Sequence, residues 1–98
     1  MASKHQTKTI KKMEGAGYYV INLIKTNKNG IPDLLCLKAG EKPLFIECKE
    51  KNDTIKPLQK FRINELNELG FNAVVDKVGQ ELQNNFDTNQ KTIFDDGA

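Results

Sequence analysis

The spacing of apolar positions changes character along the chain. From Ser3 to Glu14 only Ile10 and Met13 are apolar, which predicts a short, mostly solvated helix with Ser3 as its N-cap and Gly15 and Gly17 ending it. Tyr18 to Ile24 (YYVINLI) is dense in aromatic and β-branched residues and predicts a first strand. Two further runs, PDLLCLK and PLFIECKE, flank the turn Ala39-Gly40-Glu41-Lys42 and predict a hairpin. Beyond Asn52 the period shifts: Leu58, Phe61, Ile63, Leu66 and Leu69 recur at near-helical spacing, with Pro57 suited to the first turn and Gly70 to the residue after the last. Phe71 to Val75 (FNAVV) predicts a fourth strand and Gly79 to Phe86 a short helix. The stretch 87–98 is polar and acidic, with Ile93 and Phe94 as its apolar residues, and reads as a tail or a dimer arm.

The resulting order, α-β-β-β-α-β, predicts an α/β fold with a mixed central sheet flanked by helices. The hairpin strands are antiparallel, the crossover helix brings strand four alongside strand three in parallel, and one helix is expected on each face. With 98 residues, 38% of them hydrophobic and 29% charged, the composition is that of one small globular domain, set at residues 1–86 with the tail at 87–98.

No apolar run approaches the roughly 20 residues of a membrane span, and MASKHQTKTIKK lacks the apolar stretch of a secretory signal, so the expectation is a cytoplasmic protein with no membrane partner. Cys36 and Cys48 both fall in strand-like apolar runs, where a free thiol behaves as a small hydrophobe; no CxxC pair exists and His5 is the lone histidine, which argues against zinc. The net charge of +2 is unevenly placed. Ahead of Pro32, Lys4, Lys8, Lys11, Lys12, Lys25 and Lys28 face a single acid, Glu14. This is either a phosphate-facing patch or a solvated lysine-rich helix.

The hairpin carries charge where a core is expected. With its turn centred near Gly40, Asp33 falls opposite Glu47, Leu35 opposite Phe45 and Leu37 opposite Pro43. Opposed like charges have Cβ atoms about 4.5–5.5 Å apart and are destabilising. A hard divalent cation compensates them, since Mg²⁺ takes carboxylate, water and phosphate oxygens. Lys49 lies on the same face as Glu47, about 6–7 Å along the strand. Two carboxylates, a cation and room for water are the components for metal-assisted hydrolysis of a phosphodiester. The competing structural reading is an edge ion pair of Lys49 with Glu47 or Asp33, and a one-residue slip would split the carboxylates between faces.

The ordered set "GIPDLL", "FIECKEK" and "LQKFRINELNELGFNAVV", with Gln59 at the head of a helix and Gly70 at its end, resembles the VRR-NUC domain, a branch of the PD-(D/E)XK nuclease superfamily, from about Gly17 to Val78. The resemblance implies a restriction-endonuclease-like core. It further implies Asp33 and Glu47 as ligands of Mg²⁺ or Mn²⁺, the Cys48 backbone carbonyl as another oxygen ligand, Lys49 as the catalytic lysine and Gln59 as an active-site polar group. Phage-type single-domain members resemble Holliday junction resolvases and act as homodimers, which implies branched DNA and a second copy as partners.

Three features depart from the family pattern. A first-helix glutamate is common there, and Gln6 or Thr7 stands at that place; Gln6 and Glu14 share one broad helix face, and Gln6 is the preferred site residue. Lys56 replaces the usual Ser or Thr N-cap, and VVDKVG offers only Lys77 where the family has arginines. The leading expectation is a metal-dependent endodeoxyribonuclease on four-way junctions, with Lys8, Lys11, Lys12, Lys25, Lys28, Lys56, Lys60 and Arg62 as phosphate contacts. The alternatives are a flap or nicking nuclease, a catalytically silent nucleic-acid-binding module, and a purely structural interaction domain.

Overall fold

The structure, a computed structural model, describes residues 3–86. Its order is α1 (Lys4–Gly15), β1 (Tyr19–Asn22), β2 (Leu34–Leu37), β3 (Leu44–Lys49), α2 (Pro57–Glu68) and β4 (Asn72–Lys77), as the sequence pattern predicts. The tail or arm reading of 87–98, with Ile93 and Phe94, lies outside the described residues.

One four-stranded sheet runs β1-β2-β3-β4, antiparallel across the first two pairs and parallel between β3 and β4. The hairpin register is the one centred on Gly40: Leu35 pairs with Phe45 and Leu34 with Ile46. Because side chains alternate along a strand, Leu34, Cys36, Ile46 and Cys48 face α1 and pack with Ile10, Met13 and Val20. Phe45, Ala73 and Val75 face α2 and pack with Ile63 and Leu66. Each face thus has its helix, but α2 packs on β4, and the β1–β2 half of its face carries Tyr19, 71% exposed. Both cysteines are free and buried. No helix among the described residues is long and apolar enough to cross a membrane.

Local chemistry sets the ends of the helices. Ser3 Oγ accepts from Gln6 N–H at 3.1 Å and starts α1. Lys56 at the head of α2 makes no side-chain cap; Gln59 Oε1 accepts the Lys56 N–H at 2.9 Å, which is half of a capping box. Gly70, at φ +99°, takes the left-handed position after α2.

The segment predicted as a helix from Gly79 to Phe86 is not helical: it leaves β4 through a turn, in which Gln80 N–H donates to the Lys77 carbonyl, and then runs back along that strand. Gln83 exchanges both backbone hydrogen bonds with Val75, and Asn64 brackets the Phe86 N–H and C=O with its side-chain amide. Leu82 and Phe86 have helical spacing, but the outer edge of β4 offers unpaired backbone groups, and Asn84-Asn85 is poor helix material.

Candidate active site

The site forms where β2 begins and β3 ends. Pro32 is fully buried, and Asp33 follows it just ahead of β2. Asp33 is held twice: its carbonyl accepts from Leu23 N–H at 2.7 Å, and its Oδ2 accepts from Cys48 N–H at 3.0 Å. The second bond ties the carboxylate to β3 directly across from Glu47.

Glu47, on the α2 face of β3, is 3% exposed. Gln59 Nε2 donates to its Oε2 at 3.2 Å, and Lys49 Nζ lies 3.7 Å from the same oxygen. The other oxygen, Oε1, is buried without a hydrogen-bond partner. Burial first, then the Asp33 charge, push the Glu47 carboxyl up to about 8, against the pull of Lys49. A buried acceptor facing a second carboxylate is costly to leave unsatisfied.

These donors fit a hard divalent cation, which prefers carboxylate oxygens. Among the described residues no group of three or more His, Cys, Asp or Glu side chains lies close enough to hold a metal. A cation on Asp33 and Glu47 would therefore complete its shell with backbone oxygen, water or phosphate. The Cys48 thiol is not part of this set: it points to the α1 face, where burial pushes it up to about 12. Its carbonyl is a different matter, because in a strand the N–H and C=O of one residue point to the same side, and the Cys48 N–H points at Asp33.

In front of the carboxylates lies a cavity of about 350 Å³, walled by the loop 23–31 on one side and Gln59 on the other, with Lys25 and Lys28 on the loop wall. Lys77 pairs with Lys49 in the parallel register, adding a second lysine at the ends of β3 and β4.

The remaining expected residues scatter. Gln6 lies at the site's end of the sheet, but its amide donates to Asn22 Oδ1 at 3.1 Å rather than to either carboxylate. Glu14 is exposed at the far end of α1, about 12 Å further along the helix. Lys8, Lys11 and Lys12 are exposed on α1, across the sheet from Glu47. Lys56 is exposed beside α2's first turn. Lys60 is half-buried with Nζ 5.8 Å from the centre of the Phe86 ring.

Arg62 corrects the sequence reading outright. It is 1% exposed and is no surface phosphate contact: Nε donates to the Asn29 carbonyl at 2.9 Å and a terminal nitrogen to Glu65 Oε1 at 2.9 Å. Its partner Asn29 lies 33 residues away, a relation that helical spacing cannot signal. The polar loop 25–30 with Lys25 and Lys28 is legible in the sequence, but its place as a wall of the cavity rests on ties distant in sequence, to Arg62 and Leu58.

The family model of the VRR-NUC domain matches residues 3–80 of the chain. No curated protein matches it significantly.

Proposed function

The chain belongs to the VRR-NUC domain family, a nuclease family of the PD-(D/E)XK type, and on that premise we propose that it is a Mg²⁺- or Mn²⁺-dependent endonuclease acting on branched DNA. The observation that carries the reading is the buried Glu47 carboxyl, its Oε1 without a hydrogen-bond partner, beside the Asp33 carboxylate in a lysine-bearing cavity.

In this reading Asp33 and Glu47, with the Cys48 carbonyl, hold the cation. When bound, that cation polarises the phosphoryl oxygen and lowers the pKa of a coordinated water. Gln59 fixes Glu47 through Oε2 and leaves Oε1 without a hydrogen-bond partner. Lys49 places a positive charge beside the same carboxylate, where it can orient water or neutralise charge developing on the phosphate. Lys25 and Lys28 line the cavity and hold flanking phosphates without reading bases. Gln6, hydrogen-bonded to Asn22 at this end of the sheet, takes the place of the first-helix acid as a neutral water-positioning group.

A homodimer goes with this function, since resolving a four-way junction takes two symmetric cuts and a C2 pair supplies two identical sites. The open β1–β2 half of the sheet, with Tyr19 71% exposed, is consistent with such a contact.

The test is a cleavage panel of four-way junction, flap, duplex and single strand in Mg²⁺ or Mn²⁺, run beside sedimentation at micromolar concentration. Paired nicks on the junction by a dimer are expected. Single uncorrelated nicks by a monomer would move the assignment to the flap or nicking alternative, and no cleavage anywhere to the silent binding module.

A further inference from the structure

Among the described residues Ile24 is the most exposed large hydrophobic side chain, at 87%, and it lines the cavity that holds Asp33 and Glu47. A lone exposed isoleucine on a surface is ordinary. This one is not placed at random, because the loop that carries it is fastened at both ends.

At the near end Leu23 N–H donates to the Asp33 carbonyl and Ile24 N–H to the Asn22 carbonyl at 3.1 Å, so the chain turns sharply as it leaves β1. In the middle the Thr26 hydroxyl donates to the Lys28 carbonyl and accepts the Lys28 N–H, closing a local turn. At the far end the buried Arg62 holds the Asn29 carbonyl, and Gly30 packs so closely on Leu58 that a Cβ there would lie 2.7 Å from Leu58 Cγ. Several separate ties on so short a loop make it a rigid wall.

An apolar side chain held over a phosphodiester-cleaving cavity and followed by Lys25 and Lys28 meets a ligand with two kinds of surface. The lysines suit its phosphates. The isoleucine suits the face of a base, and apolar wedges of this type partly unstack the step they enter. Unstacking costs least where pairing is already interrupted, at a branch point or a frayed end.

We propose that Ile24 is a nucleobase-contacting wedge that selects DNA with an unstacked nucleotide beside the cleaved phosphate. The inference rests on the nuclease reading of the cavity and adds the feature of the substrate that it recognises.

The experiment uses the full chain carrying Asp33→Asn, which stops turnover, and DNA with 2-aminopurine placed next to the branch point or at the same position of an unbroken duplex. Anisotropy reads binding and 2-aminopurine fluorescence reads unstacking. The Asp33→Asn chain is expected to raise the fluorescence at the branch severalfold over free DNA. Adding Ile24→Ala is expected to abolish that rise while changing affinity by no more than about threefold, since the lysines remain. In the cleaving background, Ile24→Ala is expected to lose about tenfold in preference for branched over unbroken DNA. A fluorescence rise that survives Ile24→Ala, or an equal loss of binding to branched and unbroken DNA, overturns the wedge. Absence of cleavage by the unaltered chain with an Ile24-dependent fluorescence rise intact upholds the wedge and counts against the nuclease reading alone.

Discussion

Gln59 joins the start of α2 to the candidate site: its Oε1 accepts the Lys56 N–H at 2.9 Å while its Nε2 donates to Glu47 Oε2 at 3.2 Å. One side chain therefore caps a helix and fixes a carboxylate. Gln59→Ala is expected to lose about 0.5–2 kcal/mol of stability from the uncapped turn and, separately, to free Glu47. Gln59→Glu keeps the cap acceptor but replaces the amide donor with a third carboxyl group beside Asp33 and Glu47. Thermal melts should therefore rank Gln59→Glu above Gln59→Ala at acid pH, while both lose cleavage activity. Full activity in Gln59→Ala would reduce Gln59 to a helix cap.

Asp33→Asn is expected to preserve the fold, because the amide oxygen can still accept the Cys48 N–H that Oδ2 accepts now. A stability change within about 1 kcal/mol fits that substitution. Calorimetric titration with Mg²⁺ or Mn²⁺ should show binding to the unaltered chain and none to the variant. Cation binding that survives the substitution would place the metal elsewhere.

Much of this site is legible in the sequence because its logic is local. The alternation of LLCL and LFIECK around Gly40 sets the register that puts Asp33 beside Glu47, and Pro57 with Gly70 marks the helix that carries Gln59. What escapes is set by contacts distant in sequence. The burial of Arg62 depends on the Asn29 carbonyl, and the course of 79–86 depends on an open edge of β4 that no local pattern announces. The lysines illustrate the same limit: composition shows a basic N-terminal third, but the fold sends Lys8, Lys11 and Lys12 to one side of the sheet and Lys25 and Lys28 to the cavity.

Glu47 predicts a pH dependence whose sign follows from its raised pKa. The ordinary value is 4.5 and the folded value about 8. Between them the folded, metal-free protein keeps a proton that the unfolded chain has released. The stability this confers is fully present below 4.5 and is lost as pH rises through about 8. In a chelating buffer the melting temperature should therefore fall between pH 5 and pH 8.5 by more than in Glu47→Gln, which carries no titrating carboxyl at this position. At the upper pH the variant is expected to be the more stable by roughly 1–4 kcal/mol. Added Mg²⁺ should restore the unaltered chain at high pH and leave Glu47→Gln unmoved. A parallel fall in both proteins would mean that Glu47 is charged in the metal-free fold.

Gly30→Ala tests the rigidity of the loop wall on which both the cavity and the Ile24 inference depend. Gly30 has φ +79°, where an L side chain costs about 1–2 kcal/mol. An added Cβ would also meet Leu58 Cγ at 2.7 Å and the Leu58 backbone carbon at 3.2 Å. Overpacking of that kind costs about 1–3 kcal/mol. The two causes can be separated, because Leu58→Ala removes the side-chain clash and leaves the backbone strain. Denaturant melts of the two single variants and the double are thus expected to be non-additive, with the double recovering part of the loss from Gly30→Ala but never all of it. Activity should track the same cycle, since Asp33 lies three residues beyond Gly30 and moves with the wall. Strict additivity would show that the loop yields to the added carbon, and a wall that yields could not hold Ile24 against a base.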